Sequence, residues 1–309
     1  MFPTFLPSEA QKLTESTSIE LARSIQRADA IVPISGKSEG RKSETETEKS
    51  QKTVATAYVR QGEGGTPILL LHGFDSSVLE FRRLLPLLAA ENETYAMDLL
   101  GFGFTDRMAG TPFDTPTIKT HLYSFWKTAI SRPVILVAAS MGGAAAIDFT
   151  LSHPDAVEKL VLIDSAGFAK EPISGKFLFP PLDYLAAQFL RNPRVRVEVS
   201  LKAYKDKSLV TEDANICASL HLKMPGWIEA TRAFAKSGGY GFVEQTAIAK
   251  IDKPTLILWG DSDGILGTTH ARAFEETIPD SELIWIENSG HVPHLEQPQI
   301  TAQHILKFI

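Results

Sequence analysis

Ser140 lies in Ala138-Ala139-Ser140-Met141-Gly142, directly after the apolar run Val134-Ile135-Leu136-Val137. A tight strand-to-helix turn pushes a serine hydroxyl out of a sheet, where it can attack an electrophile. Such a turn needs small neighbours, because the strand and helix backbones approach closely. Ala138, Gly142 and Gly143 supply them. The usual pattern is G-x-S-x-G, and here alanine stands for its first glycine. The competing reading is a serine that caps a buried helix. A serine hydroxyl is a poor nucleophile at neutral pH and needs a base. Among the eight histidines, His291 stands out, because Ser289-Gly290-His291 follows the last apolar run, Leu283-Ile284-Trp285-Ile286. A loop at the carboxyl end of a parallel strand opens on the face where such sheets bind ligands. His294 is the nearest rival. The base in turn needs an orienting carboxylate. Asp263, in the turn Gly260-Asp261-Ser262-Asp263-Gly264, is the expected acid, and Asp261 is the alternative. Asp164, at the end of Leu160-Val161-Leu162-Ile163, would serve a rearranged site.

Attack on a carbonyl also needs backbone N–H donors for the developing oxyanion. One is expected from Met141, the residue after the serine. The other is expected from Phe74, in His72-Gly73-Phe74-Asp75-Ser76-Ser77 after the Pro67–Leu71 run. His72 is expected to brace that loop rather than act as a base. The G-x-G of Asp98-Leu99-Leu100-Gly101-Phe102-Gly103 lacks the third glycine of a dinucleotide fingerprint and reads as a loop near the site. His291-Val292-Pro293-His294-Leu295-Glu296 has potential metal ligands, but Pro293 opposes a regular helical face. No metal and no cofactor are expected. Cys217, the only cysteine, reads as a helix interior without a catalytic role.

These groups must be held by a scaffold. Short apolar runs recur at Val54–Val59, Pro67–Leu71, Thr94–Met97, Pro133–Ala138, Leu160–Ile163, Pro254–Trp259 and Glu282–Ile286. Continuous runs bounded by turns suit strands buried on both faces. Helical spacing over Ser77–Ala90 and Thr117–Ile130 separates some of them. The alternation predicts an α/β fold, a mostly parallel sheet with helices on both faces. Residues 167–250, with Tyr184–Leu190, Trp227–Phe234 and Leu178-Phe179 largely apolar, read as an inserted helical cap. The sheet core is expected over 54–166 and 251–309. Residues 1–53 read as an N-terminal helical arm, helical over 8–30 with a capping box at Thr17 and Glu20, then a flexible linker over 35–53. Phe2, Phe5 and Leu6 are expected to dock on the protein or stay disordered rather than touch a membrane.

Bulk composition narrows the function classes. The 309 residues are 43% hydrophobic and 22% charged, with formal net charge −6, which argues against a nucleic-acid partner. No apolar stretch reaches the roughly 18–20 residues of a membrane span. No secretory signal is read at the N-terminus, and one cysteine suits a reducing compartment, so a cytoplasmic location is expected.

Together His72-Gly73-Phe74, Asp98 to Gly103, Ser140-Met141-Gly142-Gly143, Gly260-Asp261-Ser262-Asp263 and Gly290-His291 resemble the α/β-hydrolase superfamily, in its order Ser, Asp, His. The resemblance covers about residues 54–309. It implies Ser140 as nucleophile, Asp263 as acid, His291 as base, and Phe74 and Met141 as oxyanion-hole amides. The stretch from His72 with Leu79-Glu80-Phe81-Arg82-Arg83 is similar to hydrolases of cyanobacteria and plastids. The expected function is a serine hydrolase of the carboxylesterase or lipase kind, acting on a small-molecule apolar ester through an acyl-enzyme. The alternatives are a carbon–carbon bond hydrolase with the same triad and a non-catalytic ligand-binding protein.

Overall fold

The computed structural model describes residues 1–34, 50–168, 180–240 and 243–309. Among these, eight strands form one sheet: β1 (Gln26–Ile34), β2 (Ser50–Gln61), β3 (Ile68–Leu71), β4 (Thr94–Met97), β5 (Val134–Ala139), β6 (Val157–Ile163), β7 (Thr255–Gly260) and β8 (Ser281–Ile286). Their spatial order is β1-β2-β4-β3-β5-β6-β7-β8. β1 with β2 and β2 with β4 are antiparallel, and every pairing from β4 to β8 is parallel.

The all-apolar runs form the central strands because both of their faces are covered. Leu69 and Leu71 of β3 join one hydrophobic cluster and Ile68 and Leu70 the other. β5 divides in the same way, with Leu136 and Ala138 on one side and Ile135 and Val137 on the other. The α-helices among the described residues are α1 (Ser16–Ser24), α2 (Leu85–Ala89), α3 (Thr115–Phe125), α4 (Met141–Ser152), α5 (Leu182–Arg191), α6 (Pro193–Ala203), α7 (Glu212–Ser219), α8 (Trp227–Ser237), α9 (Gln245–Ile248), α10 (Thr269–Thr277), α11 (Pro293–Glu296) and α12 (Pro298–Phe308). Helices α5 to α9 occupy the described part of the segment between β6 and β7.

Three helical expectations need correction. Residues 26–30 belong to β1, because Ala30 and Val32 alternate inward while Ile31 is exposed, a period of two. The capping box is also absent: Glu15 occupies the N-cap of α1, and Thr17 donates its hydroxyl hydrogen bond to the Glu15 carboxylate. Residues 50–53 of the expected linker begin β2, and residues 35–49 lie outside the described part, as do Leu178 and Phe179. The span Ser77–Ala90 is not one helix but a 3-10 turn at Val78–Phe81 followed by α2. Pro86 has no N–H to give to a carbonyl one turn back, so the helix starts anew around it.

The N-terminal residues dock on the molecule. Leu6 is buried, and Phe2 and Phe5 pack beside it. The Asp213 carboxylate of α7 accepts from the Thr14 and Glu15 amides and the Ser18 hydroxyl, which ties this arm to the segment between β6 and β7.

Close approach of α4 to β3 sets up the turn that carries Ser140. A Cβ on Gly142 would lie 2.5 Å from the Leu71 carbonyl oxygen and 2.6 Å from that of His72. Ala138 is fully buried in β5, paired with Leu71 and Leu162, so the alanine in place of glycine is accommodated in the sheet. Gly142→Ala is expected to destabilise the fold by about 1–3 kcal/mol through overpacking. A urea midpoint equal to wild type would show that the backbones are not in contact there.

Candidate active site

Ser140 sits between β5 and α4 with φ 51° and ψ −123°, a backbone conformation that is costly for a residue with a Cβ. The surrounding hydrogen bonds impose it. The Ser140 amide donates to the Ile163 carbonyl, and the Ser140 carbonyl accepts from the Gly143 and Ala166 amides. The hydroxyl is thereby presented at the carboxyl end of the sheet.

His291 reaches Ser140 from the loop after β8. Its Nε2 lies 3.0 Å from Ser140 Oγ, and its Nδ1 lies 3.0 Å from Asp263 Oδ2. A carboxylate only accepts, so Nδ1 carries the proton and Nε2 is left to accept from the hydroxyl. The other Asp263 oxygen, Oδ1, accepts from the Ile265 and Leu266 amides at 2.7 and 3.1 Å. Burial works against the Asp263 charge, but the His291 N–H and those amides outweigh it and hold the carboxyl below its ordinary range.

The structure separates the rivals. Asp261 turns away to the Asn288 and Ser289 amides and Lys205. His294 is buried with Nε2 3.3 Å from Glu80 Oε1. His291 and His294 therefore face different carboxylates. Asp164 lies close by but does not take the place of Asp263. It accepts from the Gly260 amide at 3.1 and 3.3 Å. Complete burial, and next the neighbouring Asp263 charge, push its carboxyl well above the ordinary range. One ligand atom each of Asp164, Asp263 and His291 lie within 4.8 Å of one another, the spacing of a metal cluster. In the structure the Asp263 and His291 atoms face each other in a hydrogen bond.

The loop after β3 approaches the hydroxyl from the other side. A Cβ on Gly73 would stand 3.2 Å from Ser140 Cβ, so glycine lets the chain pass. His72 braces this loop, with Nδ1 2.7 Å from the Gly73 carbonyl oxygen and Nε2 accepting from the Leu99 amide. Among the described residues, neither the Phe74 nor the Met141 amide has a hydrogen-bond acceptor. The nearby Asp98–Gly103 loop is organised by Asp98, which accepts from the Val78 and Phe104 amides.

Three carboxylates that hold the site, Asp75 and Glu296 buried and Glu80 half-buried, escape a reading of the sequence. Asp75 accepts from Arg196, His221 and Trp227, which come from the segment between β6 and β7. Burial alone would raise its pKa; the hydrogen bonds from His221 and Trp227 and the Arg196 charge outweigh it and hold it at about 2. Glu296 accepts from the Gly290, Lys205 and Asp206 amides, fixing the residue before His291. Glu80 accepts from the Gly73 amide. Their partners lie up to 152 residues away, and the only local signal is the position of Asp75 beside Phe74.

Ser140 and His291 open into a cavity of about 240 Å³, walled by Phe74, Leu79, Val199 and Ile265 among other residues. The arrangement can transfer a proton from the hydroxyl to the imidazole while the hydroxyl attacks an electrophile in that cavity.

A family model described as the alpha/beta hydrolase family matches residues 68–304. The Arabidopsis thaliana alpha/beta hydrolase domain-containing protein VTE7 is 34% identical over 313 residues, covering 100% of this chain and 89% of that protein. The 2-hydroxy-6-oxo-6-(2'-aminophenyl)hexa-2,4-dienoic acid hydrolase of Metapseudomonas resinovorans is 29% identical over 265 residues, covering 83% of this chain and 88% of its own. Among solved structures, a thermophilic esterase from Thermogutta terrifontis aligns with TM-score 0.72 at 22% identity, covering 92% of this chain and 97% of the esterase. That likeness is one of fold.

Asp75→Asn tests the junction between the loop and the segment beyond β6. Leaving Arg196 without its anion is expected to cost about 3 kcal/mol at neutral pH. The Asp75 pKa is depressed in the folded state, so its contribution is complete above the unfolded value and is lost as pH falls through about 2. The difference in thermal midpoint between wild type and variant should therefore shrink from pH 4 toward pH 2. A difference that stays constant or widens would contradict the charged pairing.

Proposed function

The chain belongs to the alpha/beta hydrolase family, and from that premise we propose that this hydrolase cleaves carboxylic esters of apolar acyl or alcohol groups through an acyl-enzyme. The observation that carries the reading is the hydrogen-bond chain from Ser140 through His291 to Asp263, at the wall of a largely apolar cavity.

Ser140 Oγ attacks the ester carbonyl as its proton passes to His291 Nε2. The Asp263 carboxylate stabilises the imidazolium that results. The Phe74 and Met141 amides, free of other acceptors among the described residues, donate to the oxyanion. His291 then returns the proton to the leaving alcohol as the carbonyl–oxygen bond breaks. Water attacks the acyl-enzyme with His291 again taking the proton, and the acid leaves as Ser140 is reprotonated. No metal or cofactor enters these steps. The segment between β6 and β7 acts as the cap, and the eight-stranded sheet with its flanking helices, β1 and β2 included, as the core. The apolar lining supports a small-molecule substrate without high charge.

With a chromogenic aryl ester, Ser140→Ala is expected to lower kcat by roughly 10⁶ with folding intact. Asp263→Asn is expected to cost about 10⁴, and Asp261→Asn less than about tenfold, because Asp261 faces away from His291. Near wild-type turnover by Ser140→Ala would remove the serine from the mechanism, and a larger loss at Asp261 would reassign the acid. The relative from Metapseudomonas resinovorans, named as a dienoic acid hydrolase, motivates a control substrate. Faster cleavage of a carbon–carbon bond in a diketone than of any aryl ester would replace the ester reading.

A further inference from the structure

Helix α5 carries an apolar face that nothing among the described residues covers. Leu182, Leu185 and Phe189 recur at helical spacing and are 59%, 57% and 63% exposed. The opposite face is anchored: Asp183 and Ala187 are buried, and Asp183 pairs with Arg232 and Lys236 of α8. The exposed face is therefore turned outward. Helix α6 extends it with Val199, itself 47% exposed. Single exposed apolar residues are ordinary, whereas a contiguous shelf marks an interaction surface.

Two further observations identify the partner. Arg191, Arg194 and Lys202 are exposed on the same two helices, while Glu198 is the one exposed acid on α6. This edge is cationic on a chain whose formal net charge is −6. The shelf also runs into the candidate site, because Val199 lines both a surface groove, with Phe189, Val195 and Leu201, and the cavity that holds Ser140. Arg194, Glu198 and Lys202 line the same groove as Phe189 and Val199, and an apolar face with a net excess of Lys and Arg beside it is the pattern of a helix lying at an anionic lipid interface. A symmetric contact between two copies would set the cations of one against those of the other.

We propose that α5 and α6 seat the protein on the surface of an anionic lipid bilayer. Leu182, Leu185 and Phe189 enter the acyl boundary, Arg191, Arg194 and Lys202 lie among the headgroups, and apolar substrate enters past Val199. The proposal extends the ester reading by giving a source for its substrate, but vesicle binding itself needs no turnover.

The test is co-sedimentation of the full chain with vesicles of phosphatidylcholine alone or mixed with phosphatidylglycerol. Wild type is expected to bind the mixed vesicles at least about tenfold more tightly than neutral ones. The Leu185→Asp/Phe189→Asp and Arg191→Glu/Arg194→Glu/Lys202→Glu variants should each lose about tenfold or more of that binding. Their circular dichroism, and their turnover of a soluble short-chain aryl ester, should match wild type. Absence of wild-type binding, equal binding to neutral vesicles, or full binding by either variant would overturn the proposal. So would concentration-dependent self-association that the apolar variant abolishes without any vesicle binding. Vesicle binding by a wild type that turns over no ester would refute the ester reading and leave the lipid surface standing.

Discussion

The contact between the Ser140 hydroxyl and the His291 imidazole joins residues 151 apart in the chain, and the surrounding structure is organised around making it short. Ser140 is held in an unfavourable backbone conformation by three backbone hydrogen bonds, from β6 and the start of α4 among others. His291 is fixed at both ends: its amide donates to the Ala203 carbonyl of α6 and its Nδ1 to Asp263. A displacement of about 1 Å in either partner would lose much of the benefit of alignment. The sheet supplies that alignment, because β5 and β8 end on the same edge.

Buried carboxylates carry much of the remaining constraint. Asp75 fastens the Phe74 loop to Arg196, His221 and Trp227. Glu296 fastens Gly290 to Lys205 and Asp206. Asp213 fastens the N-terminal arm to α7. In each case one acceptor satisfies several donors from distant segments, so loss of the carboxylate strands more than one buried polar group. The segment between β6 and β7 is thus bonded to the loops on both sides of Ser140.

The central strands were legible because a strand buried on both faces reads as an unbroken apolar run, as in Ile68–Leu71 and Val134–Ala139. The turn at Ser140 was legible because close backbone approach restricts its neighbours to small residues. β1 was not, since Ile19, Ala22, Ile25 and Ala28 continue a helical spacing across the real helix end at Ser24, and the period of two is carried mainly by Ala30 and Val32. Choosing Asp263 over Asp261 was a matter of which carboxylate turns toward His291, and two aspartates two residues apart in one turn do not declare that. The roles of Asp75 and Glu296 depend mostly on partners far along the chain, and beyond the place of Asp75 next to Phe74 little in the neighbouring sequence announces them.

The central claim is that this hydrogen-bond chain makes one hydroxyl reactive. Its most direct measurement is labelling with a fluorophosphonate probe followed by mass-spectrometric mapping. Covalent adduct on Ser140 is predicted in the wild type, with labelling lost in a folded His291→Ala variant. A folded protein that takes up no probe, or that takes it up at another residue, would contradict the account.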